Sequence, residues 1–229
     1  MKIAVIPARG GSKRIPHKNI KHFLGKPIIT YPIRSAFESQ QFDYVVVSTD
    51  CERIAAIARE SGAEVPFKRP AELSDDQSGT TPVVSHAIDW FEHNVGEITS
   101  VCCIYPTAVF VSPDMINEGW RRLLASNKDL LVTVTEFEFP IQRAVKINED
   151  GCLCALDPHN FNKRSQDLPR TFHDAGQMYW GRGEAFRGLS MDRNSIPMVL
   201  PRWNAQDIDT PEDWEMAEKL FSILKSNNS

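Results

Sequence analysis

The sequence predicts an α/β fold built on a doubly wound, mostly parallel sheet. Three observations carry that expectation. Apolar runs of strand length recur along the chain, helical patterns alternate with them, and one stretch, 137–169, breaks the rhythm. Residues 2–7 (KIAVIP) form a continuous apolar run ending in a Gly-rich turn, the pattern of a buried parallel strand. After a loop through Asn19, Pro27 opens a helical pattern that places Ile28, Tyr31, Ile33 and Phe37 on one side. Residues 44–48 (YVVVS) read as the second strand. Asp50 is the expected cap of a helix over 51–61, with Ile54, Ala55, Ile57 and Ala58 on its apolar face and Gly62 as its stop. A short strand is expected over 63–68, at a sheet edge because of Pro66.

The alternation continues with a helix from Thr81 and Pro82 to His93 and a buried strand over 98–105. Ser112, Pro113 and Asp114 supply a cap and first turn for the next helix, and 130–135 is a further strand. Residues 137–169 mix strand-like pieces with Gly, Pro and charge. They read as an arm (137–170) that packs on a partner subunit, within a single domain of 1–229; a long surface loop is the alternative. The core resumes at 177–180 and 198–200. Thr210 to Asp213 start a last amphipathic helix carrying Trp214, Ala217, Leu220, Phe221 and Leu224. Trp180, Trp203 and Trp214 are expected in the core. A sheet of this kind binds ligands at the C-terminal ends of its strands.

Composition narrows the class. With 229 residues, 41% apolar and 24% charged, the chain suits one domain with an ordinary core. The net charge of −4 gives no reason to expect a nucleic acid or an anionic membrane as partner. The opening apolar run is shorter than a signal peptide or membrane span needs. Five cysteines without framework spacing fit a reducing compartment, so a cytoplasmic enzyme or binding protein is expected. Cys102 and Cys103 read as buried strand residues. Cys152, Cys154 and His159 lack the second ligand pair of a zinc site.

Two constellations carry chemistry. In the first, Arg9, Gly10, Gly11, Ser12 and Lys13 follow the first strand. Two glycines let the backbone turn sharply and offer N–H groups to an anion, while the cations and the hydroxyl suit a triphosphate. Neither GxxxxGK[ST] nor GxGxxG is present, and a solvated basic turn is the plain alternative. In the second, Asp207 and Asp209 stand at i and i+2 on an extended segment, so both carboxylates face one side. They suit a hard divalent cation such as Mg²⁺, or else the favourable acids of a helix start.

IPARGGSKRIPHKN (6–19), STD (48–50), RPAELSDD (69–76), YPT (105–107), RSQD (164–167) and DIDT (207–210) together resemble the CMP-sialic acid synthetase family along essentially the whole chain. The stretch RSQDLPRTFHDAGQMYWG (164–181) is most similar to the pseudaminic acid cytidylyltransferases within it. The resemblance implies a Rossmann-like fold of the nucleotide-diphospho-sugar transferase type with a dimerisation arm. It further implies a homodimer that uses CTP, a 2-keto nonulosonic acid and Mg²⁺ to make a CMP-sugar and pyrophosphate for surface glycan or flagellin glycosylation. Ala8, Arg9, Gly10, Gly11, Ser12 and Lys13 then match the phosphate loop, and Asn19, Arg69 and Thr80 match positions around the nucleoside. Asp207 and Asp209 match the metal-binding acids. Tyr105, Thr107, Arg164, Gln166, Gln177 and Tyr179 match positions facing the sugar acid, and Arg9, Lys13 and Asp209 the catalytic positions. Sialic acid members commonly carry Gln where this chain has Tyr105, and Asn-Gly where it has Ala175-Gly176. An aromatic ring in place of an amide favours a deoxygenated sugar with added acylamino groups over N-acetylneuraminic acid; otherwise Tyr105 is a strand-end core residue. A related CMP-Kdo synthetase, a metal-dependent glycosyltransferase and a non-catalytic nucleotide sensor are the rival readings. His173 beside Asp174 reads as a structural histidine, because neighbours on a strand face opposite sides.

Overall fold

A computed structural model describes residues 1–75, 78–187 and 194–226. Asp76, last of the RPAELSDD motif, lies outside the described residues. A six-stranded sheet runs in the order β10-β6-β9-β5-β1-β4. Its strands are β1 (Lys2–Pro7), β4 (Tyr44–Ser48), β5 (Ser100–Ile104), β6 (Leu130–Glu136), β9 (Phe172–Arg182) and β10 (Ser195–Val199). β1 is parallel to both β4 and β5, and β10 is parallel to β6. β9 is antiparallel to both of its neighbours, β5 and β6. The sheet is therefore mostly parallel with one reversed strand inserted at its middle.

Alternation along the strands sends side chains to two helical layers. Ala4, Ile6, Val45, Val47, Cys102, Ile104, Leu131, Met178 and Trp180 pack with α1 (Thr30–Glu38), α2 (Glu52–Glu60) and α4 (Pro113–Leu124) through Ile33, Ala36, Ile54, Ala58, Ile116 and Leu123. On the other face Ile3, Val5, Val46, Val101, Cys103 and Val132 meet Val84, Ala87, Ile88 and Phe91 of α3 (Thr80–Asn94). Each wholly buried isoleucine on these faces contributes roughly 1.5–3 kcal/mol. A third cluster seats α5 (Pro211–Ser226) on the loop after β1. Phe23, Tyr31, Trp214 and Phe221 meet there edge to face at centroid distances of 5.5–5.7 Å.

Several expectations are corrected. α1 starts at Thr30, not Pro27, because β3 (Lys26–Pro27) pairs with β2 (His22–Phe23) across Leu24 and Gly25, both at positive φ as a two-residue hairpin turn requires. Cys51 takes the N-cap position of α2, while the Asp50 carboxylate is engaged elsewhere. The expected strand over 63–68 is a single bridge, Val46 to Glu64. Trp203 is 53% exposed on the 3₁₀ turn Arg202–Asn204 and is not a core residue. The 137–170 segment leaves the sheet as two 3₁₀ turns and the hairpin of β7 (Val145–Ile147) and β8 (Leu153–Ala155). Among the described residues no helix is long and apolar enough to cross a membrane.

Candidate active site

At the C-terminal ends of β1 and β5 a cavity of about 340 Å³ opens between the 8–19 loop, the start of α3 and the segment before α5. It gathers Arg9, Ser12, Lys13, Asn19, Arg69, Thr80, Tyr105, Thr107, Asp207 and Asp209. Ten of the sequence-expected residues thus share one wall, drawn from segments nearly two hundred residues apart. Arg14 and Lys18 line it too, so five basic side chains stand against two carboxylates. Such a surface attracts anions.

The loop is held by contacts that the sequence does not advertise. Ala8 is buried, and its N–H donates to the Ser48 carbonyl (2.9 Å). The Gly10 N–H donates to Asp50 Oδ1 (2.8 Å), and a Cβ there would lie 2.9 Å from that of Cys51. Gly10 therefore packs the loop against the β4–α2 connection, and its amide is engaged by the Asp50 carboxylate where a ligand anion was expected. Gly11 stands in open space. Arg9 Nη1 donates to the Asp75 carbonyl (2.6 Å). Asn19 donates to the Arg9 carbonyl (3.0 Å), and its buried Oδ1 has no protein partner among the described residues. An acceptor left open on a cavity wall suits a ligand N–H or O–H.

Arg69 is 4% exposed and donates to Ser48 Oγ (3.1 Å), to the Ser48 carbonyl and to the Leu73 carbonyl (3.4 Å). All three acceptors are neutral. Burial, reinforced by the charge of Arg9 and opposed by Asp50, pushes its guanidinium down to about 10. An anionic ligand would relieve that cost.

The carboxylate pair is distinct from the acid that accepts at the start of α5. Helix-start chemistry belongs to Thr210 and Asp213: Asp213 Oδ2 accepts from Thr210 N–H (2.7 Å) and Asp209 N–H (3.1 Å), and Thr210 Oγ1 accepts from Asp213 N–H (3.2 Å). Asp207 and Asp209 are left to face the cavity. Asp209 accepts from Arg14 (2.6 Å) and Lys18 (2.9 Å); Lys18 also donates to the Ile208 carbonyl (2.7 Å). Partial burial would raise the Asp209 carboxyl, but Lys18 and Arg14 outweigh it and hold it below the usual range. Asp207 is raised, by desolvation first and by the charge of Asp209 second, although it still reaches solvent at the cavity mouth. Two hard oxygen ligands beside an anion-attracting wall fit Mg²⁺, which takes one or two carboxylates and completes its shell with phosphate and water. No third His, Cys, Asp or Glu joins them among the described residues.

The residues expected to face the sugar divide. Tyr105 and Thr107 line the cavity, and the Tyr105 hydroxyl lies 2.9 Å from Thr80 Oγ1. Burial raises the Tyr105 hydroxyl, so it stays neutral. Tyr179 is 3% exposed, its hydroxyl bonded to Asp174 Oδ2 (2.5 Å). Gln177 is buried, and its Nε2 donates to the Ala175 (3.1 Å) and Gln206 (3.0 Å) carbonyls, tying β9 to the segment that carries the two acids. Arg164 and Gln166 are not brought to this cavity. They sit on the arm, Arg164 paired with Asp167 (2.7 Å) and Gln166 lining a separate cavity of about 300 Å³ with Glu136 and Arg170. Sequence reasoning missed the roles of Arg14, Lys18 and Asp50. The cations stand inside the quoted motif, but their carboxylate partner lies 195 and 191 residues away.

The family described as Cytidylyltransferase matches residues 3–183. A pseudaminic acid cytidylyltransferase of Campylobacter jejuni is 41% identical over 223 residues, 96% of each chain. A CMP-N,N'-diacetyllegionaminic acid synthase of Legionella pneumophila is 31% identical over 231 residues, again 96% of each. Among solved structures, a CMP:2-keto-3-deoxy-manno-octonic acid synthetase complexed with CTP superposes with a TM-score of 0.69 at 17% identity, covering 96% of this chain and 98% of that one. At that identity the likeness speaks for the fold.

Proposed function

The chain belongs to the cytidylyltransferase family and is a nucleotidyltransferase, and from that premise we propose that it joins CTP to a nine-carbon 2-keto sugar acid, pseudaminic acid by preference. The observation that carries the reading is the cavity itself: five cations, an acid pair freed from helix capping, and a phenol–threonine wall at one end of a parallel sheet. The relative named for pseudaminic acid supports the choice of sugar.

In the reaction, the anomeric C2 hydroxyl attacks the α-phosphorus of CTP and releases its proton to solvent, the bond from that phosphorus to the α–β bridging oxygen breaks, and the oxygen leaves with pyrophosphate. Arg9, Lys13 and Lys18 hold the phosphates in line and stabilise the charge that develops on them. Arg69 gives its buried charge to an anionic group of the nucleotide, and Asn19 Oδ1 accepts from a nucleoside donor. Asp207 and Asp209 are the residues that would hold Mg²⁺, which would supply further neutralisation of phosphate charge; Arg14 and Lys18 orient the Asp209 carboxylate. Tyr105 and Thr80 wall off the sugar end.

The protein acts as a cytoplasmic homodimer. The apolar side chains of the arm support the dimer: Phe139, Ile147, Leu153 and Leu156 are 60–76% exposed, a patch that a monomer would leave in water. Pyrophosphate release with CTP and Mg²⁺ across pseudaminic, legionaminic, N-acetylneuraminic and Kdo acids tests the reading. Fastest turnover of pseudaminic acid is expected. Preference for another acid would keep the reaction and remove the sugar; silence with all four would remove both.

A further inference from the structure

Ser48, Thr49 and Asp50, where β4 ends and the chain turns toward α2, line no part of the cavity, yet they hold two of the segments that do. The Ser48 carbonyl accepts from the Ala8 N–H (2.9 Å) and from the Arg69 guanidinium, and the Thr49 carbonyl accepts from the Arg69 N–H (2.8 Å). Asp50 Oδ1 accepts from the Gly10 N–H (2.8 Å). We infer that Asp50 is a positioning residue for the nucleotide: through the Gly10 N–H it seats the 9–13 stretch, and so sets where Arg9, Ser12 and Lys13 stand against the phosphates of CTP.

The seat is close-fitting. A Cβ on Gly10 would lie 2.9 Å from the Cys51 Cβ, nearer than such atoms approach, and 3.7 Å from Asp50 Oδ2. Gly10 is not among the glycines at positive φ. The position therefore calls for glycine because the backbone comes so near its neighbour, not because of its conformation. A carboxylate bond to a backbone N–H is charge-assisted and about twice as strong as a neutral one. The residues around Gly10 are fixed with it: the Gly10 carbonyl accepts from the Ser12 N–H (3.2 Å), and the Arg9 carbonyl accepts from Asn19 (3.0 Å). Arg9, Ser12 and Lys13 line the cavity, whereas Asp50 and Cys51 line a separate hollow of about 190 Å³.

The helix that follows does not draw the carboxylate off. Cys51 is the N-cap of α2, and its N–H donates to Thr49 Oγ1 (3.1 Å). Asp50 brings a negative charge toward a wall of five cations, which weakens the pull on phosphate. Against that stands a loop already in place, whose ordering bound CTP does not have to supply. The charge of Asp50 also offsets part of the cost of burying Arg69.

The inference rests on the cavity being the site of CTP and the sugar acid. The experiment measures CTP binding by calorimetry with Mg²⁺ and without sugar acid, steady-state kinetics in each substrate, and melting temperature. The variants are Asp50→Ala, Asp50→Asn, Gly10→Ala, Cys51→Gly and the Gly10→Ala, Cys51→Gly pair. Asp50→Ala should raise the Kd of CTP about 10- to 100-fold and leave the KM of the sugar acid nearly unchanged. Asp50→Asn keeps an acceptor for the Gly10 N–H, and it loses charge assistance and repulsion toward phosphate together. Its Kd should stay within about 3-fold of wild type. Gly10→Ala should weaken CTP about 10-fold or more, because its Cβ meets that of Cys51. Cys51→Gly removes that atom; alone it should behave as wild type, and in the pair it should restore most of the loss. If Asp50→Ala does not fold, the Gly10 and Cys51 variants decide alone. CTP bound by Asp50→Ala as by wild type, Asp50→Asn as weak as Asp50→Ala, an equal rise in the sugar-acid KM that tracks lost stability, or a Gly10→Ala defect that Cys51→Gly leaves in place would each overturn the inference. A wild-type protein that neither binds CTP nor turns it over would instead remove the functional reading beneath it.

Discussion

Replacing Asp213 with alanine removes the side chain that ties the start of α5 to the segment before it. Three contacts go: those from Thr210 N–H at 2.7 Å, Thr210 Oγ1 at 2.8 Å and Asp209 N–H at 3.1 Å. Losses of this kind cost about 0.5–2 kcal/mol. In a chain of this length each kcal/mol moves the melting temperature by about 2–4 °C, so a fall of about 1–8 °C is expected. Turnover should stay within a few-fold, because the cavity loses no lining residue. Asp209→Asn should do the opposite. Its ion pairs with exposed Arg14 and partly buried Lys18 are each worth about 1 kcal/mol or less, and the amide oxygen of Asn keeps an acceptor for one of them, so melting should shift by only a few degrees. Mg²⁺-dependent turnover should fall about 100-fold or more. Differential scanning fluorimetry and pyrophosphate release at several Mg²⁺ concentrations read both quantities. If Asp209→Asn melts as early as Asp213→Ala and keeps full activity at low Mg²⁺, the division of labour is wrong and Asp209 is a helix-start acid.

Asp207→Asn should raise stability at neutral pH while abolishing Mg²⁺-dependent turnover. The carboxyl is raised in the fold, so its ionisation costs stability as pH climbs above the ordinary carboxylate value, and the gain from Asn should vanish on acidification in a pH series of melts. Lys13→Ala should lower turnover by ~10² to 10³ with an unaltered melting curve; near-normal turnover removes its assignment. Gly176→Ala should destabilise by about 1–2 kcal/mol, because φ there is +61°, and unchanged denaturant melts would refute the strain. Ile147→Glu combined with Leu153→Glu should shift the sizing profile to a monomer. A monomeric wild type would refute the dimer.

Most of the frame was legible because it is written in local pattern. β1 and β4 have the bounds read from their apolar runs, β5 and α3 agree with theirs to within two residues, and α4 and α5 start where Ser112 and Thr210 place them. What was not legible is what joins distant segments. Asp50 looks like a helix cap because it precedes one, but Gly10, 40 residues away, offers its carboxylate a better partner. The reversed direction of β9 leaves no mark in an apolar run, which reads the same either way. Gln177 and Arg164 carry polar groups fit for a ligand, yet one ties two backbone segments together and the other pairs with Asp167 three residues on. At the site, the loop and the acid pair could be picked out by residue type. The pairing of Arg14 and Lys18 with Asp209 needed coordinates.

The central claim is transfer of CMP from CTP to a sugar acid in a pocket shaped for pseudaminic acid. It is tested most directly by competition in one vessel: equal pseudaminic and N-acetylneuraminic acids, limiting CTP with Mg²⁺, and products weighed by mass spectrometry. The account predicts CMP-pseudaminic acid as the dominant product, with one pyrophosphate released for each. A dominant CMP-N-acetylneuraminic acid peak would contradict the reading of Tyr105, and pyrophosphate without any CMP-sugar would contradict the transfer itself.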